Sequence, residues 1–272
     1  MSSTSPIGVF DSGIGGLTVV KEILSLHPNE RIIYFGDTAR VPYGSKSIET
    51  VRRYALEDTE LLLEHSPKLI IVACNTVSAV ALDVVKMTAG EIPVIGMIEP
   101  ACREALRITK SGRVGVIGTE ATVASKAYDT QLAFLANEGA RAVATFSKAC
   151  PLFVPLAEEG WENSAAAELV AKEYLGSIIE ANVDTLILGC THYPVLRKII
   201  QSVMGPNVSL INSGEVASRE ILLSTISNSS SPEHSYLVSD TPQKFQTIGE
   251  RFLGVQLDNI KQVIFEETWK VV

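Results

Sequence analysis

The sequence predicts an α/β fold built from two pseudo-symmetric, three-layer domains with mainly parallel sheets and an active site at their interface. Three observations carry this expectation. Short apolar runs alternate with helical patterns along the 272 residues, the pattern of βαβ units and a parallel sheet. Three features then recur in the same order: IGVFDS resembles VGVIGT, IIVACNT resembles LILGCTH, and PVIGMI resembles NVSLIN. The matching residues Ile7 and Val114, Cys74 and Cys190, and Pro93 and Asn207 lie about 107, 116 and 114 residues apart, a near-constant offset that favours duplication of one unit. Finally, the elements after Asn212 are too few for a third domain, so the tail is expected to pack back on the first. The expected division is 1–99 with 213–272, a discontinuous first domain, and 100–212 as the second.

Taken in order, IGVF (7–10) reads as a strand, GLTVVKEILSLH as a helix and RIIYFGD as a strand. A long helix over roughly 48–65 precedes the strand LIIVA, a helix opening near Asn75, and PVIGMI. The second series begins at Arg113 with the strand RVGVIG, a helix over 120–138, ARAVATF as a strand and a helix over 163–181. LILGC, a helix after Pro194 and VSLIN complete it. A helix over 215–224, the polar stretch SNSSSPEHS, SYLVS, a helix around 242–253 and QVIF finish the chain. The first two series are right-handed crossover material, so each sheet is expected to be covered on both faces.

The composition, 46% hydrophobic and 20% charged, suits strands buried on both sides. A net charge of −8 argues against nucleic acid as a partner, because phosphate contacts need clustered Lys and Arg. It leaves room for a small anionic substrate held by local backbone dipoles. No basic segment followed by an apolar stretch opens the chain, and no apolar run approaches the roughly 18 residues that span a bilayer. The four cysteines, Cys74, Cys102, Cys150 and Cys190, form no CxxC pair, so neither a zinc site nor a disulfide framework is expected. The chain reads as a cytoplasmic protein with free thiols and no membrane partner.

In a parallel sheet, ligands bind beyond the carboxyl ends of the strands. Cys74 and Cys190 each occupy such an end, on the turn into a helix, where free N–H groups and the helix dipole favour a thiolate. A single cysteine there is most simply a buried small residue; two at matching positions of a repeat ask for a joint role. Cys102 and Cys150 follow no apolar strand run and read as ordinary buried residues. If the repeats face each other, the two thiols flank one substrate atom. One can then remove a proton from one face while the other returns a proton to the opposite face, which inverts a stereocentre. His192, two residues after Cys190, is the natural tuning group.

The loop FDSGIGGL (10–17) offers backbone N–H groups at a helix start but is not a dinucleotide fingerprint, and Asp11 within it disfavours a pyrophosphate. A small zwitterion fits better, its ammonium near Asp11 and its carboxylate on N–H groups; the alternative is a tight turn with Ser12 capping a helix. GDTARVPYGSKS (36–47), with Pro42, Tyr43 and Gly44, is a long polar loop of the kind that lines clefts. Asn75, Thr76 and Thr191, directly after the two cysteines, are placed either to hold carboxylates or to cap helices.

Together DSGIGGLTV, YFGDTARVPYGSKS, ACNTVSA, LGCTHYPVL and INSGE resemble, in order and along essentially the whole chain, the bacterial glutamate racemases. The resemblance implies the aspartate/glutamate racemase fold, cofactor-independent interconversion of L- and D-glutamate without pyridoxal phosphate or metal, and supply of D-glutamate for peptidoglycan. It implies Cys74 and Cys190 as the proton donor and acceptor pair, with Asp11 and Ser12, Pro42, Tyr43 and Gly44, Asn75 and Thr76, and Thr191 and His192 at the substrate. Asp11 and His192 are also implied to assist the thiols, as is a glutamate in the segment PLAEEG; spacing does not decide between Glu158 and Glu159, and Glu159 is the expectation. The family's pattern further suggests that Cys74 deprotonates D-glutamate and Cys190 L-glutamate, and that the protein is a homodimer. About six residues precede the first strand, so activation by a peptidoglycan precursor through a longer N-terminal segment is expected to be absent. Three rivals remain at this point: an aspartate racemase on the same fold, a cysteine hydrolase using Cys190 with His192, and a non-catalytic amino-acid-binding module. The hydrolase leaves Cys74 without a role, and two residues is a short separation for a base that must reach a thiol.

Overall fold

A computed structural model describes residues 5–221 and 232–264. The first series comprises β1 (Ile7–Asp11), α1 (Leu17–Leu26), β2 (Ile32–Gly36), α2 (Ile48–Leu63), β3 (Leu69–Val72), α3 (Asn75–Val80), α4 (Leu82–Ala89) and β4 (Val94–Gly96). A helix α5 (Ile98–Ile108) leads to β5 (Arg113–Gly118), α6 (Glu120–Ala124), α7 (Ala127–Glu138), β6 (Ala144–Ala149), α8 (Phe153–Glu158), α9 (Ala165–Glu180), β7 (Thr185–Gly189), α10 (Arg197–Met204) and β8 (Ser209–Asn212). The last elements are α11 (Ser213–Arg219), β9 (Ser235–Val238), α12 (Pro242–Leu253) and β10 (Ile260–Gln262).

These strands form two sheets, each wholly parallel, in the orders β10-β9-β2-β1-β3-β4 and β6-β5-β7-β8. The strands matched by the sequence repeat occupy matching places, β1-β3-β4 in one sheet and β5-β7-β8 in the other, with β2 and β6 beside β1 and β5. The central strands β1, β3 and β7 are buried at every residue, as continuous apolar runs flanked on both sides require. In each sheet the chain runs outward first to one side and then to the other, opening a crevice beyond the ends of β1 and β3 and of β5 and β7. The tail joins the first sheet, β9 pairing with β2 through Phe35 and Leu237, and β10 with β9.

Local chemistry sets the element ends. Ser47, Thr119 and Ser164 accept from the backbone N–H three residues on, and Asn212 from that of Gly214, each closing an orphan donor at a helix start. The single helix expected over 120–138 is broken, because Lys126 adopts left-handed backbone with φ 55°. The strand expected over 140–146 begins later, at Ala144. Arg141 instead donates to the carbonyls of Leu106 and Thr109, which draws residues before β6 off the sheet. The short helix α8 was not anticipated. Parts of the helix expected over 215–224 and of the polar stretch after it, and the end of QVIF, lie outside the described residues.

Leu237→Ala should lower the urea unfolding midpoint by an amount equal to about 2–5 kcal/mol, with a single transition. Leu237 is 5% exposed in the core of the six-stranded sheet. A loss below about 0.5 kcal/mol would contradict integration of the tail into that core.

Candidate active site

β3 ends at Val72, and Cys74 stands at the N-cap of α3; β7 ends at Gly189, and Cys190 opens the turn that carries His192 into Tyr193–Leu196. Both cysteines are free and nearly buried, 4% and 6% exposed, and both line one cavity of about 200 Å³. The glycine loop after β1 touches the second corner closely at Gly15. A Cβ there would lie 2.3 Å from Thr191 Oγ1 and 2.5 Å from His192 Nδ1, so no larger residue fits between the glycine loop and the second corner. Cys102 and Cys150 lie away from this cavity, their thiols directed at the carbonyls of Tyr128 and Lys148.

The surroundings of the two thiols differ. Burial pushes Cys74 up to about 12, and the Asp11 charge adds to this; donors from Val77 and Ser12 only partly offset it. Cys74 is therefore held as a thiol. Cys190 Sγ lies 3.9 Å from His192 Nδ1, and His192 Nε2 lies 3.0 Å from Glu158 Oε1. Burial disfavours the imidazolium, but the hydrogen bonds to Cys190 and Glu158 outweigh it and raise His192 to about 10. Glu158 is likewise penalised by burial, yet His192 keeps its carboxyl below the usual value. The result is a hydrogen-bonded line from thiol to imidazole to carboxylate. Two residues proves enough separation, because the helical backbone at His192 folds the ring back onto Cys190. The glutamate expected here, Glu159, is exposed; Glu158 occupies the inner face of the last turn of α8 and makes the contact.

Of the other expected residues, Ser12, Pro42, Tyr43, Gly44, Asn75, Thr76, Thr191 and His192 all line the cavity. Asp11 does not. It is fully buried behind the wall, accepting from Gly13 N–H at 3.0 Å and from Thr191 Oγ1 at 3.4 Å, and burial raises its pKa. In this position it supports the loops on either side of the cavity wall. The Tyr43 hydroxyl also turns away, donating to Asp37 and Asp58. Asn75 is the best-prepared polar group. Its Oδ1 accepts from Tyr128 at 2.6 Å and Ser213 at 3.4 Å, while its buried Nδ2 has no partner. An unpaired buried donor carries a desolvation cost that a carboxylate oxygen in the cavity would relieve.

Sequence reasoning missed Thr119, whose hydroxyl joins those of Thr76 (3.0 Å) and Thr122 (2.9 Å) at the cavity wall. The signal existed: in the repeat, Thr119 falls where Ser12 falls. Pro151, Val154 and Pro155, the apolar side of the cavity, had no chemical pattern to reveal them. Among the described residues, no three His, Cys, Asp or Glu side chains cluster as a metal site would. The arrangement can exchange protons at two thiols around a small molecule bearing a carboxylate.

The family profile described as Asp/Glu/Hydantoin racemase matches residues 8–221. The glutamate racemase of Chlorobaculum tepidum is 56% identical over 269 residues, covering 97% of each chain. Among solved structures, glutamate racemase of Francisella tularensis in complex with D-glutamate matches with a TM-score of 0.89 and 41% identity, over 96% of this chain and 98% of that one. Glutamate racemase isoform RacE1 of Bacillus anthracis matches with a TM-score of 0.90 and 38% identity, over 96% and 98%. With sequence and fold alike along nearly its whole length, the chain belongs to the glutamate racemases of the Asp/Glu/hydantoin racemase family.

Proposed function

We propose that this enzyme interconverts L- and D-glutamate by passing the Cα proton between Cys74 and Cys190, without a cofactor. The observation that carries the reading is that corresponding corners of two matching sheets bring both thiols to one cavity. With L-glutamate, the Cys190 thiolate takes the Cα proton, so the C–H bond breaks and an S–H bond forms. The electron pair spreads into the α-carboxylate, and the Cys74 thiol delivers its proton to the opposite face. With D-glutamate the roles exchange. The His192 ring lies beside Cys190, and burial keeps Cys74 protonated. The proton donor for the L-glutamate direction is thereby prepared. The Asn75 amide and the hydroxyls of Ser12, Thr76 and Thr191 are proposed to hold the carboxylates, where charge grows as the proton leaves. Pro42, Tyr43 and Gly44 form a further wall, and Asp11 supports Thr191.

The product D-glutamate supplies peptidoglycan synthesis in this reading. The division into 1–99 with 213–272 and 100–212, a homodimeric state and a cytoplasmic location belong to the same proposal. Among the described residues no helix is long and apolar enough to cross a membrane. The Cys190–His192–Glu158 line would also suit a cysteine hydrolase, but that chemistry gives Cys74 nothing to do.

In heavy water, L-glutamate should gain Cα deuterium and lose optical rotation, and Cys74→Ser with Cys190→Ser together should abolish both. Exchange that survives the double change, or none with the unmodified enzyme, would sink the two-thiol reading; L-aspartate run alongside tests the shorter substrate. Glu158→Gln should reduce kcat by about 10–100-fold, whereas Glu159→Gln should leave it near the starting value.

The His192–Glu158 pair also fixes a pH dependence. His192 is raised from 6.5 to about 10, so its stabilisation is fully present below about 6.5 and lost as pH rises through about 10. Glu158 is depressed, so its share is present above the ordinary carboxylate value of 4.5 and lost at more acid pH. The stability difference between the enzyme and His192→Asn should therefore be greatest between the ordinary values of 4.5 and 6.5, shrink as pH rises from there, and be lost above about 10. A difference that grows with alkalinity would contradict the pairing.

A further inference from the structure

Helix α12 follows a strand of the six-stranded sheet, yet its last turn reaches α8, which follows a strand of the four-stranded sheet. Arg251 Nη2 donates to the carbonyl oxygens of Ala157 at 2.8 Å and Glu158 at 2.6 Å. These are carbonyls at the end of α8, where intrahelical donors run out and a cation is favoured. The chain then turns away at Gly160, with φ 74°. The backbone conformation favours glycine there, and a Cβ at that position would lie 2.9 Å from Arg251 Nη1 and displace the guanidinium. The next residue, Phe252, is 3% exposed and meets the His192 ring edge-on, with centroids 5.7 Å apart at 85°. Consecutive residues of one helix thus touch both partners of the carboxylate–imidazole pair.

We propose that Arg251 is a positioning residue for proton transfer at Cys190, holding the last turn of α8 so that the Glu158 carboxylate meets His192 while Phe252 fixes the plane of the ring. The proposal rests on the relay reading of Cys190, His192 and Glu158 given above. The hydrogen bonds of the guanidinium go to backbone carbonyls, and its carbon lies 5.7 Å from the centroid of the Phe252 ring, so it acts through these neighbours and is a positioning residue. Both bonds leave one nitrogen, Nη2, whose two N–H groups are fixed in the guanidinium plane and so orient the turn more firmly than a freely rotating ammonium would. The side chain of Glu158 leaves from one of those two residues, and a shift of about 1 Å at its carboxylate is enough to cost up to about 100-fold in rate. The Arg251 charge also acts on Glu158 in the sense that favours its ionised form. The effect falls on one thiol of the pair, so its signature is directional.

The test compares Arg251→Met, Arg251→Lys and Glu158→Gln in the full chain, with racemisation followed from each enantiomer and His192 titrated by NMR after 13C labelling of the histidines, His192→Asn giving the assignment. Arg251→Met should lower kcat about 10-fold and bring the His192 titration down from about 10. The primary isotope effect of Cα-deuterated substrate should rise in the direction that starts at Cys190 and not in the other. Arg251→Lys should recover part of the rate and part of the titration shift. Unchanged His192 titration in Arg251→Met, or equal isotope effects in both directions, overturns the positioning role while Glu158→Gln remains impaired. A fully active Glu158→Gln overturns the relay reading itself, and the Arg251 proposal with it. If Arg251→Met fails to fold, Arg251→Lys decides: about a threefold loss with a lowered His192 titration supports the proposal, and behaviour identical to the unmodified enzyme refutes it.

Discussion

Strand direction is the constraint on which the rest of this molecule depends. Every strand in both sheets runs parallel to its neighbours, so all the carboxyl ends of a sheet share one edge. Whatever follows a strand there meets the start of a helix or turn and its free N–H groups. Cys74 and Cys190 inherit their shared cavity from this rule, together with Ser12 after β1 and Thr119 after β5. Matching strand order in the two sheets makes the corners equivalent, and Gly15 allows the first glycine loop to lie against Thr191 and His192.

Equivalence of position has not produced equivalence of chemistry. In the repeat, Asn75 corresponds to Thr191 and Thr76 to His192. The first corner therefore carries a hydroxyl tied to Thr119 and Thr122 where the second carries an imidazole tied to Glu158. Burial raises Cys74 and keeps it neutral, while Cys190 has a cation within reach. Unlike neighbours thus stand at like positions around one cavity, so the matching backbone geometry is kept while the surroundings of the two thiols differ.

The βαβ order, the repeat and both thiol corners were legible because they rest on period and position, which a sequence states directly. The placement of Ser12, Asn75, Thr76 and Thr191 followed from the same rule. What escaped depended on side-chain direction. Glu158 ends a six-residue helix and Glu159 caps it, so one residue's rotation separates a half-buried partner of His192 from a solvated carboxylate. Asp11, the last residue of β1, is fully buried, and Ser12 is the residue that lines the cavity. Tyr43 lines the cavity as the loop's position suggests, while the partners of its hydroxyl were not legible, since nothing local announces Asp58. The break at Lys126 was invisible because lysine is an ordinary helix former and its left-handed backbone is imposed by what surrounds it.

Asp58 and its partners show how the cavity walls are held. Arg40 pairs with Asp37 at 2.6 Å, with Asp58 at 2.9 Å and with Glu57, while Tyr43 donates to Asp37 and Asp58. The loop bearing Pro42 and Gly44 is thereby fastened from behind to α2. Ser239 donates to the other oxygen of Asp37 at 2.7 Å, and the Asp240 N–H donates to Thr38 at 3.0 Å. These residues directly precede α12, whose far end carries Arg251 and Phe252. One segment of the tail therefore grips the loop of Tyr43 with its beginning and the turn of Glu158 with its end. The cavity lies between those two attachments, with Pro42 to Gly44 on one side and Val154 to Glu158 on the other. A stretch of chain that supplies no cavity-lining residue from α12's last turn still sets the distance between walls that do, which gives the tail a physical reason to return to the first sheet.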